Sequence, residues 1–544
     1  MTQTTAPRRA PGIGARHPHA PAPAAPARPG EVRGARPFAP LALALAALLA
    51  LGGCAGLARS GYERPALAVP SRWSGANACT AAGCGRDPAG QGGAAPTATT
   101  AATAPPTATI PGLAPDDSGN ARLARASEVP ALALDGWWRD LGDPALDGLI
   151  DRLLVRNNDL AAATQRVRQA RLSAGLQADA LVPAASASLS GTRGRSLSGQ
   201  GRTRSNAASA SLAWEADLWG RLAASRDAAD WEARATDADR AATALSLVGT
   251  AASLWLDLGY VNERIALGEA NIANARRVLE LVQLQYRAGS VSSLEVDEAR
   301  QTLAALEAAQ TSWLLERDQD RHAFSILLDL APGADANPWA AEPRRLPEAA
   351  LPAIPAGLPA ELLARRPDLA AAEARLRSTL ASADATRLGY YPRFSLTGTL
   401  GGSSAALADV LANPVATLGA GLTLPFLQQT ERQLAVASGR AAYAEAVASF
   451  RQSFLSALAD VEDALSARAQ YEARARPLEE SLAAARRAEA AYELRYRAGS
   501  VALRTWLDAQ RTRRDAEAAL AANRLDRLLN RIALHQALGG RAGG

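Results

Sequence analysis

Tyr286-Arg287-Ala288-Gly289-Ser290-Val291 recurs without change as Tyr496-Arg497-Ala498-Gly499-Ser500-Val501, 210 positions further on (496 against 286). Each copy separates two long Ala/Leu/Arg/Glu-rich segments of helical periodicity. Glycine in such a break marks a tight reversal, because it takes positive φ without steric cost. Each copy therefore predicts the tip of a long helical hairpin, and the duplication predicts a chain of two similar halves.

Hydrophobic residues make up 48% of the 544, but aromatics only 5%, which suits close Ala/Leu helix packing over a large aromatic core. The formal charge is +5, and all 59 basic residues are arginine. Spread along helices, that charge reads as a solvated surface and not as a nucleic-acid footprint. The cysteines, Cys54, Cys79 and Cys84, fall early in the chain, so no disulfide framework exists for the helical body. With 4 histidines, no Gly-rich phosphate loop and no nucleophile cluster, the chain shows no catalytic constellation and calls for no cofactor or metal.

Residues 1–53 read as a targeting segment: arginines precede the apolar run 40–50, which is too short to span a membrane. Leu51-Gly52-Gly53-Cys54 looks like a bacterial lipobox, which implies cleavage before Cys54 and lipidation of its thiol; a plain secretory signal is the alternative. Residues 1–31 are long and Pro/Ala-rich for a signal's basic region and point to a translation start near Val32. Residues 54–134 form a lipidated N-terminal segment with a low-complexity Ala/Thr/Gly/Pro linker. In an oxidising periplasm Cys79 and Cys84 offer a disulfide; the other reading, a metal site, lacks neighbouring His or Cys.

The first half, 135–330, opens on Asp135-Gly136-Trp137-Trp138. Asp143-Pro144 starts a helix expected to run to about Ala180. Two strands, 184–191 and 207–217, flank a polar Gly/Arg/Ser-rich loop; Ala210, Leu212 and Trp214 alternate with Ser209, Ser211 and Glu215. Helices are expected from Arg221 to about Ala288 and from Ser292 to about Leu330. A Pro-rich connector fills 331–360. The second half, 361–544, repeats the programme: a helix from 361 to about 389, strands 393–400 and 417–425, then a helix from about 430 to 498 with a kink at Pro477, the tip, and a helix to about 537.

A helix of about 68 residues is ~100 Å long, more than any single globular core needs. Four short strands with one apolar face cannot close a barrel or expose open edges to lipid, whereas three chains supplying twelve can. The strands thus predict a trimer if they cross a membrane. A soluble four-stranded sheet capping the helices is the alternative.

Tyr62-Glu63-Arg64-Pro65, Trp137-Trp138, Asn157-Asn158-Asp159-Leu160 and Trp214-Glu215-Ala216-Asp217-Leu218-Trp219-Gly220-Arg221 belong to one pattern. So do Arg365-Arg366-Pro367-Asp368, Leu424-Pro425-Phe426 and Asp460-Val461-Glu462-Asp463-Ala464-Leu465. Together with the lipobox and the paired tips, they resemble the outer-membrane factor family of tripartite efflux pumps, the TolC-like proteins, and within it the NodT-type lipoproteins. The resemblance covers about residues 40–538.

That resemblance implies a homotrimer in the outer membrane reaching into the periplasm. Its parts are a 12-stranded transmembrane β-barrel and an α-barrel of coiled-coil hairpins. It implies a passive export duct, not an enzyme, docked by a periplasmic adaptor coupled to an inner-membrane transporter of RND type. Carried over, Gly289, Ser290, Val291, Gly499, Ser500 and Val501 are the adaptor-docking residues. Asp508, Glu295, Tyr496 and Arg497 are the gate and constriction residues. Leu294 and Thr505 match further gate positions, and Arg497 or Arg504 is expected to pair with acids on a neighbouring helix. Arg365 and Asp368 read as structural. Two departures stand out: Leu427-Gln428-Gln429-Thr430 lacks the usual turn glycine, and 74–130 looks like an insertion. Other readings are a type I secretion duct and a lipid-tethered periplasmic coiled-coil scaffold without a pore.

Overall fold

Short polar side chains and prolines decide where the helices start. A computed structural model describes residues 59–67, 69–70, 73, 127–132, 134–195, 201–332, 342–347, 354 and 359–540. The signal segment, Cys54, Cys79, Cys84, most of the linker and much of the connector lie outside the described residues.

Helix α1, Pro144–Arg156, begins where Asp143 accepts hydrogen bonds from the Ala145 and Leu146 amides, with Pro144 at its first position. It does not run on to 180. Asn157 turns extended at φ −62°, ψ 127°, and its side-chain oxygen caps α2, Asn158–Asp179, by accepting from the Leu160 amide. The helical periodicity of 144–179 is continuous, so a single helix was the natural expectation; the short side chain of Asn157 competing for backbone groups breaks it.

Strand β1, Ala184–Arg195, pairs antiparallel with β2, Arg202–Ala216. Both are longer than the pattern predicts: the Gly/Arg/Ser stretch expected as loop continues the ladder to Arg195↔Arg202. Helix α3, Arg221–Arg287, follows, capped by Asp217, which accepts from the Leu222 and Ala223 amides. Its 67 residues give about 100 Å. It is apolar enough in one window to cross a membrane, yet residues from Leu222 to Val282 are buried along it, as in a core helix. Helix α4, Ser293–Leu327, returns.

The same order is then met again. The expected single helix 361–389 is two: α5, Leu362–Arg365, and α6, Pro367–Leu388. Pro367 forces Arg366 out of the helical region, to φ −74°, ψ 119°. Strands β3, Arg393–Ser404, and β4, Val415–Thr423, complete a sheet of order β1-β2-β3-β4, all neighbours antiparallel. Helix α7, Gln429–Arg497, continues through Pro477, and α8, Leu503–Ala537, returns. Where the turn glycine is missing, a 3-10 turn, Pro425–Leu427, and Gln428 at ψ 64° make the bend instead.

The helices form a wall. The long helices α3 and α7 run its full length, and half-length helices stack end to end beside them. Asn157 Nδ2 donates to the Leu327 carbonyl (3.1 Å), joining the start of α2 to the end of α4. Arg366 Nη1 donates to the Ala537 carbonyl (3.0 Å), joining α6 to α8 in the same way. Helix α3 packs on α2 and α6 near the sheet, and on α4 and α8 further away. Two cores hold the middle: Trp137, Leu149, Ile150, Val248, Trp255 and Phe324 in one, and Trp73, Leu362, Leu369, Phe454, Val461 and Leu534 in the other.

A strap from the N-terminal segment crosses this wall. Ser60 donates through its amide and hydroxyl to Asp384 on α6 (2.7 and 2.8 Å), and Arg59 pairs with Asp227 on α3 (2.5 Å). Glu373 accepts from Tyr62, Arg64 and Arg377, while the Arg377 guanidinium lies 4.2 Å from the Tyr62 ring centroid.

Candidate functional site

The two hexapeptides are the ends of the α3/α4 and α7/α8 hairpins. Gly289 (φ 75°) and Gly499 (φ 72°) are left-handed. Each terminates its helix in a Schellman motif: Gly289 donates to the Tyr286 carbonyl and Ser290 to Gln285, as Gly499 does to Tyr496 and Ser500 to Arg495, all at 2.9 Å. The Ser290 and Ser500 hydroxyls donate to the same Gln285 and Arg495 carbonyls. A β-carbon on either glycine would meet nothing within 4 Å, so only the backbone angle demands glycine. Val291 and Val501 pack beside the apolar cluster that closes this end.

Identical sequence does not give identical surroundings. Tyr496 is 7% exposed, whereas Tyr286 is 50% exposed. The Tyr496 hydroxyl donates to Gln285 Oε1 (2.7 Å), tying one hairpin to the other, and its ring stacks on Trp506 at 5.3 Å between centroids. Val278 and Val282 of α3, Val296 and Ala299 of α4, and Leu503, Trp506 and Leu507 of α8 surround it. Burial raises the Tyr496 pKa, and the charge of Glu295 adds to the rise.

Glu295 is a helix cap. Its carboxylate accepts from the amide (3.0 Å) and hydroxyl of Ser292, whose Oγ in turn accepts from the Leu294 amide, making a capping box. Hydrogen bonds from Ser292 hold its carboxyl below the usual range. The second tip has Ala502 and Thr505 at those places, and no side chain caps α8.

Arg497 does not reach a neighbouring helix: it pairs with Glu493 (2.5 Å) one turn back on α7, where the i,i+4 partner is the nearest acid. Arg504 does cross, with Glu298 of α4 at 3.8 Å, and lies 3.9 Å from Asp508 on its own helix. The Asp508 side chain is 68% exposed. Further up, Arg513 is half of a tighter network, 2.5 Å from both Glu489 and Glu517, with Asn271 of α3 accepting at 3.1 Å. An open groove of about 440 Å³ lies on the first tip, lined by Tyr286, Arg287, Val296, Asp297 and Arg300 among others.

The structure thus brings Tyr496 and Glu295 close together and leaves Asp508 and Arg497 on the surface. Sequence reasoning missed Gln285, Trp506, Glu298 and Arg513. Of these Trp506 was findable: Leu503, Trp506, Leu507 and Gln510 follow helical spacing as one stripe, and the structure buries all four. Gln285 carries no such signal, since it stands just outside the repeated hexapeptide and Arg495 occupies its place in the second copy. Among the described residues no group of three or more His, Cys, Asp or Glu could hold a metal ion.

The profile of the family "Outer membrane efflux protein" matches residues 149–328 and 358–540. The pyoverdine export outer membrane protein OpmQ of Pseudomonas putida is 33% identical over 448 residues, covering 80% of this chain and 94% of that protein. The toluene efflux pump outer membrane protein TtgC of P. putida is 29% identical over 419 residues, covering 75% and 86%. Among solved structures, the outer-membrane channel OprN superposes with a TM-score of 0.68 at 29% identity, covering 76% of this chain and 93% of that one. The open state of the Neisseria gonorrhoeae outer membrane channel MtrE gives 0.63 at 29% identity over 76% and 93%. The hairpins, the sheet and these likenesses agree: the chain belongs to the outer membrane efflux protein family, whose members are transport proteins of the outer membrane.

Proposed function

We propose that three copies of this chain form one continuous conduit, the outer-membrane part of a tripartite efflux pump. The observation that carries this is the division of the sheet between its two faces. On one face stand Leu189, Ala210, Leu212, Trp214, Leu396, Leu400, Leu418 and Leu422; on the other stand Ser186, Ser188, Ser209, Ser211, Ser395, Thr397, Thr399 and Thr417. Leu189, Leu400, Leu418 and Leu422 are more than half exposed, so among the described residues nothing covers the apolar face. Among the described residues, strands β1 and β4 each have a free edge. Lipid outside, water inside and closure of the edges by two further copies satisfy all three demands, giving twelve strands.

In this reading the halves 135–330 and 361–544 are repeated units alternating around a tunnel. Gly289, Ser290, Val291 and Gly499, Ser500, Val501 face the periplasm at its end and dock an adaptor. Exposed Leu284, Leu294 and Leu494 supply apolar contact there. Asp508 from three chains concentrates negative charge at the narrowest point, which favours cations and resists collapse. The Tyr496–Gln285 bond and the Arg504–Glu298 pair hold the tips shut until docking. The chain does no chemistry. Relatives are named for pyoverdine, toluene, antibiotics and solvents, and this spread fits a duct whose cargo is chosen by the inner-membrane transporter and adaptor.

The test is planar-bilayer conductance of the purified lipoprotein against its Asp508→Ala variant. The expected result is a small cation-selective current that grows or loses selectivity in the variant. Insertion with unchanged selectivity would remove Asp508 from the gate. Failure to form membrane-inserted trimers would sink the duct and favour a lipid-tethered scaffold.

A further inference from the structure

The first β-hairpin carries a charge arrangement that the duct does not use. Arg193 and Arg195 on β1 lie directly across from Arg204 and Arg202 on β2. All four side chains are exposed, and among the described residues no acid pairs with any of them. The sequence from Ala180 to Trp214 contains no Asp or Glu. Like charges directly opposite in an antiparallel pair are destabilising, so four arginines in two consecutive cross-strand pairs demand a counter-charge from outside the chain.

Their position says where it comes from. Side chains alternate along a strand, so Arg193 and Arg195 share the face of Ala185, Ala187 and Leu189, and Arg202 and Arg204 that of Ala208, Ala210 and Leu212. This is the apolar face, not the Ser/Thr face. All four connections to helices leave the opposite end of the sheet, so the arginines sit at the end away from the periplasm. From Ala216 to Asn206 the apolar face runs about 33 Å at 3.3 Å per residue, which a tilt near 40° reduces to about 25 Å of membrane thickness. The arginines begin just past that band, at the level of the outer-leaflet headgroups.

Resting on the barrel reading above, we propose that Arg193, Arg195, Arg202 and Arg204 form a binding site for a phosphorylated, multiply acylated glycolipid of the outer leaflet, of the lipid A type. Its acyl chains lie along Leu189, Leu212 and the neighbouring apolar side chains, and its phosphates take the guanidinium forks. Guanidinium groups grip phosphate bidentately. Four cations in one patch match a headgroup with more than one phosphate better than a phospholipid with one. The second hairpin has no equivalent: Arg393 is the sole basic residue of β3 and β4 and lies at the helix end. A trimer therefore has three such sites.

The test uses the full-length trimer in detergent, with native mass spectrometry of bound bisphosphorylated lipid A, dephosphorylated lipid A and phosphatidylglycerol. The R193Q/R195Q/R202Q/R204Q variant and its fourfold Lys counterpart are run beside it, and each protein's bilayer conductance is recorded. We expect up to three lipid A molecules per wild-type trimer, at least tenfold weaker binding in the Gln variant, and binding within threefold of wild type in the Lys variant. The dephosphorylated lipid and phosphatidylglycerol should bind at least tenfold more weakly. Equal lipid A binding by a conducting Gln variant, or no preference of the wild type for the phosphorylated glycolipid, overturns the site and leaves the barrel standing. A wild type that never inserts overturns both.

Discussion

Gly539 and Gly499 both hold positive φ, +81° and +72°, yet their surroundings differ. A β-carbon at 539 would lie 2.8 Å from the Arg365 carbonyl, in the joint between α8 and α6. At 499 it would meet nothing. Gly499→Ala should therefore cost about 1 kcal/mol, from backbone strain alone. Gly539→Ala should cost about 3 kcal/mol, since strain and a backbone clash add. Thermal unfolding of the two variants checks the order, and a larger loss at 499 would contradict it. Tyr496 and Tyr286 make a second matched pair. Tyr496→Phe removes the hydrogen bond to Gln285 and should cost about 1 kcal/mol while raising single-channel conductance. Tyr286→Phe, at an exposed copy of the same residue, should change stability by less than about 0.5 kcal/mol.

At the scale of the element, α3 and α4 meet along a seam that carries uncompensated acid. Burial, and then the charge of Glu316, push the Asp257 carboxyl up to about 6; burial, then Asp257 and Glu316, do the same for Asp320. These carboxyls hold their protons longer in the folded chain than in the unfolded one. Their contribution is therefore favourable at pH 4, declines as pH rises towards about 6, and is lost above it. Asp257→Asn should stabilise the protein at pH 7.5 by about 1 kcal/mol, a figure discounted for the solvent both groups keep, and should change little at pH 4. Melting temperatures of both proteins at the two pH values test this; a destabilised variant at pH 7.5 would refute the account.

At the scale of the molecule, the strap from Arg59 to Trp73 stitches α3 of the first half to α6 of the second. Glu373, with its side chain 12% exposed, gathers Tyr62, Arg64 and Arg377. Burial alone would raise the Glu373 carboxyl, but the Arg377 and Arg64 guanidiniums hold it below its usual range. Glu373→Ala leaves two guanidiniums facing each other without a counter-charge and should cost about 2 kcal/mol. Limited proteolysis should then cut the segment before Trp73 sooner in the variant than in the wild type. Unchanged proteolysis would show that Arg59, Ser60 and Trp73 hold the strap without Glu373.

Much of this was legible in one dimension. The repeated hexapeptide determined the hairpin tips, because a glycine between two periodic segments admits few conformations, and the Schellman bonds at both copies are its direct consequence. Alternation of Leu and Ala with Ser and Thr determined strands with one apolar face, and absence of proline across Arg221–Arg287 permitted a helix of that length. The breaks at Asn157 and Arg366 were written less plainly, since apolar periodicity runs through both and only the competition between side chain, proline ring and backbone ends the helices there. What tertiary structure alone decided is which copy of a residue does what. Tyr496 is buried because Leu503, Trp506 and Leu507 of α8 close around it with Val278 and Val282 of α3, whereas Tyr286 in the same hexapeptide is left half exposed. The hexapeptide is the same at both tips; the neighbours differ, and a side chain's burial and partners depend on the neighbours.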